Sequence, residues 1–166
     1  MRKLLAISGF AMIVAYAAYG SLLMNNWAVT AASRLPLDET ISAMASMDQN
    51  YDTPGGWVFA VIGTALAISW LVPVVSAGRK LPAWAAIGAW SLIIALGAPA
   101  YFFASFANMN SVGDTFADWN ADAAADLAAP LYMASVLAFA ILAAMAALGI
   151  RTAFTRPPRP LHPTSN

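Results

Sequence analysis

The sequence predicts an all-α fold, a four-helix transmembrane bundle, and three observations predict it. Hydrophobic residues occupy 61% of the 166 positions and charged residues only 10%, against roughly 45–50% and 25% in soluble domains. Four stretches, 4–27, 55–77, 81–107 and 127–150, contain no Asp, Glu, Lys, Arg or His. Each exceeds the roughly 20 residues that cross a hydrocarbon core of about 30 Å. The charges between these stretches segregate by sign. This composition excludes a soluble globular enzyme, a disordered chain and a nucleic-acid binder, which would need a basic excess.

Arg2, Lys3, Arg79, Lys80, Arg151, Arg156 and Arg159 lie before the first span, between the second and third, and after the fourth. Asp38, Glu39, Asp48 and Asp52 occupy one remaining loop, and Asp114, Asp118, Asp122 and Asp126 the other. Only Arg34 breaks the pattern. The positive-inside rule then puts both termini in the cytoplasm and both long loops outside, and the expected location is a bacterial inner membrane. Arg79, Lys80, Arg151 and Arg156 are expected to anchor the bundle at lipid headgroups. The bundle fills 1–150; residues 151–166 read as a cytoplasmic Arg/Pro-rich tail, extended in the manner of polyproline.

The first span could also be read as a cleavable signal, with Ala15-Tyr16-Ala17 as the small-residue site. Its apolar run continues to Trp27, which favours a retained helix. In the first outer loop, Pro36 with Asp38 and Glu39 marks a helix start. Leu37, Ile41, Met44 and Met47 fall on one face, so a short amphipathic helix on the membrane surface is expected, covering the bundle's outer mouth or serving as a lid or docking ledge. Asp52-Thr53-Pro54-Gly55-Gly56 turns the chain into span two. Gly78-Arg79-Lys80 admits only an antiparallel hairpin before span three. Pro73 and Pro99 are expected to kink their helices, and Pro130 suits the first turn of span four. Small residues four apart (Gly63 with Ala67, Ala85 with Ala89, Ala140 with Ala144, Ala143 with Ala147) suit close helix approach.

The second outer loop carries Asp114, Asp118, Asp122 and Asp126 at successive four-residue spacing. On a helix they drift about 40° per step, which predicts a second surface helix with an acidic stripe and with Phe116, Trp119, Ala123 and Leu127 opposite. The stripe is either a solvated face or a docking surface for a basic extracytoplasmic protein or a neighbouring subunit's loop. A calcium site would need six to eight convergent oxygens, which a straight stripe spreads apart.

The spans themselves offer little chemistry. Cysteine is absent and the one histidine, His162, lies in the tail, so no metal site and no intrinsic cofactor are expected. Ion-coupled transport would call for an ionisable residue within the membrane, and the spans have none. Trp27, Trp57, Trp84 and Trp119 suit the interfaces. Trp70 and Trp90 sit deeper and should meet another helix or a hydrophobic ligand. Tyr101, Phe102, Phe103 and Phe106 could wall a bound lipid, quinone or pigment.

Arg34-Leu35-Pro36-Leu37, the run Ile41-Ser42-Ala43-Met44-Ala45-Ser46-Met47-Asp48-Gln49-Asn50, and Trp119-Asn120 before the last span together carry a resemblance. In these segments the chain is similar to the anthrone-oxygenase-like family of small four-helix membrane proteins. The resemblance implies the four-span layout and one functional alternative, a stand-alone membrane enzyme or carrier acting on a hydrophobic molecule. Elimination points instead to a non-catalytic accessory subunit of a larger membrane complex, in respiratory or photosynthetic electron transport, whose partners are other membrane subunits and lipid.

Overall fold

The computed structural model describes residues 2–77 and 80–155. Among them every regular element is helical: α1 (Arg2–Leu22), a π-helical turn (Leu23–Trp27), α2 (Ala28–Ser33), α3 (Leu37–Ser46), α4 (Pro54–Ser76), α5 (Ala83–Thr115) and α6 (Ala121–Phe154). α1, the π turn and α2 form one continuous rod. Four rods are long and apolar enough to cross a membrane: Lys3–Ser33, Pro54–Ser76, Ala83–Thr115 and Ala121–Phe154.

Three of these rods are longer than the charge-free stretches suggested. At 1.5 Å per residue, their 31, 33 and 34 residues reach about 46–51 Å, well beyond a hydrocarbon core of about 30 Å. α4, with 23 residues, reaches only about 35 Å. The excess lies at the acidic end, where α2, the last turns of α5 and the first turns of α6 stand together. There Ala28, Val29, Ala32, Met44, Val112 and Ala124 form a small apolar core of their own. Two further layers lie beneath it. Leu23, Met24, Ala98, Tyr101, Ala128 and Leu131 fill the middle; Ile13, Ala67, Trp70, Ile94 and Ala138 fill the end nearer the termini.

α1 on α4 and α5 on α6 make the two broadest interfaces, and α4 meets α5 over much less. Gly63 packs against Ala17 and Ala67 is fully buried, so this small pair lets α1 and α4 approach closely. On α6 the bundle-facing stripe is Ala124, Ala128, Leu131, Ser135 and Ala138. It turns Ala140, Ala143, Ala144 and Ala147 outward, so the small pairs expected there do not pack within the chain.

The two outer loops behave differently. α3 turns Met44 and Leu37 of its apolar face onto the bundle, with Thr40 and Met44 wholly buried, and packs on α2 and α5. Ser33 and Thr40 latch it through hydroxyls 2.7 Å apart, while Met47, past the helix end, is exposed. The second surface helix does not form. α5 continues through Asp114, the chain turns over 116–120, and α6 starts at Ala121. Asn120 decides this, because its side chain accepts the Ala123 N–H at 3.2 Å, an N-cap that begins α6 well before Pro130. Pro130 therefore lies inside the helix, where its ring opens the backbone ladder, and the Tyr19 hydroxyl of α1 donates to the nearby Leu127 carbonyl at 2.6 Å. Arg79, Arg156, Arg159 and the prolines of the tail lie outside the described residues.

Candidate functional site

Several polar side chains that reach between helices are engaged. Tyr16 and Ser135 hydroxyls lie 2.8 Å apart, and Ser135 donates onward to the Ile94 carbonyl at 2.7 Å, which ties α1, α6 and α5 together. The indole N–H of Trp70 donates to the Ala86 carbonyl at 2.9 Å, and that of Trp90 to the Gly9 carbonyl at 3.1 Å. Such bonds fix helix positions in a medium where apolar contact alone discriminates poorly. Ser91 is fully buried, and its Oγ has no partner among the described residues.

Around this fastened core, two apolar grooves open sideways. The first lies between α4 and α5 over α1, encloses about 460 Å³, and is walled by Phe59, Ile62, Ile93, Gly97 and Ala100 with Tyr16 at its floor. Asp52 stands at its acidic end. The second, about 450 Å³, runs between α1 and α6 past Met12, Tyr19, Trp90, Leu137 and Ile141, again with Tyr16 at its base. Both volumes fall within the range of small-molecule sites. The first groove exists because α4 and α5 meet so sparingly, and because glycine and alanine line it where larger residues would close it.

The acidic end is held by backbone-directed side chains. A π turn shifts the carbonyl pattern of its helix, and here two of its carbonyls find partners elsewhere. Asn108, buried on α5, donates to the Met24 carbonyl at 3.3 Å. The same amide donates to the Asp52 carbonyl at 2.9 Å and accepts the Asp52 N–H at 2.7 Å. The Tyr51 hydroxyl donates to the Asn25 carbonyl. Burial first, then the neighbouring Asp52 carboxylate, pushes the Tyr51 phenol above its ordinary value. The fold thus favours the neutral phenol, whose contribution to stability is complete below about pH 10 and is lost as pH rises through the raised value. In a phenolate absorbance titration, the difference between wild type and Tyr51→Phe should develop only above about pH 10; a difference developing below it would contradict this placement.

The structure brings some of the sequence-selected residues together and separates others. Trp70 is 4% exposed and sits between α1, α4 and α5, whereas Trp90 borders the second groove. Tyr101 is buried, but Phe102, Phe103 and Phe106 point outward, Phe103 with 77% of its surface exposed. Tyr101, Phe102 and Phe106 nonetheless border one hollow of about 220 Å³ with Trp119 and Tyr132, and the Phe103 ring meets that of Phe102 edge-on with centroids 5.5 Å apart. Asp114, Asp118, Asp122 and Asp126 are all exposed, yet they do not form one stripe, since Asp118 sits in the turn at 116–120, which separates Asp114 on α5 from Asp122 and Asp126 on α6. Phe116 packs against the acidic-end core, and Trp119 lies on Gly113. Lys80 is exposed beside the α4–α5 link and Arg151 in the last turn of α6; Arg79 and Arg156 fall outside the described residues.

Among the described residues no three His, Cys, Asp or Glu side chains come close enough to share a metal ion. Asn108 was missed in the sequence, although an amide at the end of an apolar run marks a place where backbone needs a partner; the Oδ1 of Asn25, which lies against Gly56, is buried with no partner among the described residues. Comparison with family models, with curated proteins and with solved structures found no match.

Proposed function

We propose that the chain is a non-catalytic accessory subunit of a larger membrane complex, with its termini in the cytoplasm and its acidic end outside. The observation that carries this reading is the engagement of the inter-helix polar groups: Tyr16, Tyr19, Trp70, Trp90 and Ser135 each bond to another helix. Side chains so committed hold the bundle and are not free to exchange protons with a substrate. The outward alanines of α6, at 140, 143, 144 and 147, add support, since small residues allow close approach by a neighbouring helix. A place in respiratory or photosynthetic electron transport rests on elimination alone.

A second reading, a carrier for a hydrophobic molecule, is favoured by the two lateral grooves and agrees with the anthrone-oxygenase-like resemblance. Gentle detergent extraction followed by size analysis separates the two. The subunit reading expects stoichiometric membrane partners that are lost when Ala144→Trp fills the outward face of α6. Recovery as a lone monomer or homo-oligomer overturns it. If one partner is a basic protein held by the acidic loop, the double change Asp118→Asn and Asp122→Asn should weaken its retention and flatten the salt dependence.

A further inference from the structure

We propose that the groove between α4 and α5 is a binding site for a single phospholipid with an ammonium headgroup, its chain lying along the groove and its head at Asp52. This goes beyond the subunit reading and stands whether or not the chain has protein partners.

The dimensions of the groove suit one leaflet. Its lining runs from Gly55 to Leu66 on α4 and from Ala104 to Ile93 on α5, about 17 Å along each helix at 1.5 Å per residue, or roughly half of a 30 Å hydrocarbon core. It begins at the acidic end and stops near mid-membrane, so a guest must present its polar part at Asp52. Between those limits the lining is apolar but for the Tyr16 hydroxyl, which is already bonded to Ser135.

The head is specified by charge. The Asp52 carboxylate accepts no hydrogen bond from the described residues, whereas its backbone is gripped on both sides by the Asn108 amide. The carboxylate is thus held at the groove mouth without a cationic partner. All eight acidic residues lie in the stretches 28–54 and 108–126 at this end, and Arg34 is the one basic residue in those stretches. Anionic heads are repelled there, and an ammonium group supplies both the charge and the donors the carboxylate needs.

Native mass spectrometry of the delipidated full chain in non-ionic detergent tests the site, using phosphatidylethanolamine and phosphatidylglycerol of identical acyl chains. Wild type is expected to retain the ethanolamine lipid roughly fivefold better. Asp52→Asn should abolish that preference, because the Asn108 grip on the backbone is unaffected. Ala100→Phe and, from the other wall, Val58→Trp should each lower retention of both lipids; both positions are exposed, so folding, checked by circular dichroism, is preserved. Equal retention of the two lipids by wild type, a preference surviving Asp52→Asn, or unchanged retention in both groove-filling variants overturns the proposal. Displacement of the lipid by free ethanolamine would assign the site to a soluble amine and overturn it as well.

Discussion

Asn108→Ala is expected to destabilise the protein by about 3 kcal/mol, because one truncation strands three backbone groups at once. The Asp52 N–H, the Asp52 carbonyl and the Met24 carbonyl all depend on this amide, and Asn108 itself is buried. A buried donor or acceptor left without a partner costs about 1–3 kcal/mol, and partial access of water at the loop reduces the sum. The midpoint of unfolding in mixed micelles measures it. Asn108→Asp should recover little, since it keeps an acceptor for the Asp52 N–H but loses both donated bonds. A shift below about 0.5 kcal/mol for Asn108→Ala would mean that the π turn and the loop are held by something else.

The second large effect is expected at Gly9. A side chain there would strike the Trp70 ring, which lies against the Gly9 Cα, while the Gly9 carbonyl accepts the Trp90 indole N–H. The two deep tryptophans, from α4 and α5, thus converge on one bare patch of α1. Gly9→Leu should cost about 2–3 kcal/mol through overpacking and shift tryptophan emission to the red as the rings lose their sites. Trp70→Leu added to Gly9→Leu should recover part of the loss, since the two residues share one volume and their effects cannot be additive. Additive losses would show that the close approach is not what sets the cost.

Much of this architecture was legible in the residues. Absence of charge located the four rods, and the depth of Trp70 left two alternatives, a helix or a ligand, of which the indole bond to the Ala86 carbonyl is the first. The ends of the rods were not legible, for a definite reason. Hydropathy reports where lipid begins, whereas helices end where their backbone groups find caps. Thus α5 runs on through Asn108 and Asp114, and α6 starts at the cap made by Asn120. The acidic stripe failed for the same cause, because four-residue spacing has meaning only on an unbroken helix. On α3 the pattern found Met44 and Leu37, which pack on the acidic-end core, and passed over the buried Thr40, whose hydroxyl is satisfied by Ser33 and by the Pro36 carbonyl at 3.0 Å. The grooves were invisible in the sequence, since they arise from how little α4 and α5 touch.

The unequal lengths of the rods carry a mechanical result. α4 alone nearly matches a bilayer, while its three companions overshoot on the side of the aspartates. A sheet of lipid that thickens or thins is therefore felt first at Pro54 and Ser76, where no spare turns exist to absorb hydrophobic mismatch. The other three can be immersed more or less deeply without exposing new apolar length. The vertical seating of the whole molecule is set by its shortest member, much as the shortest leg decides how a table stands.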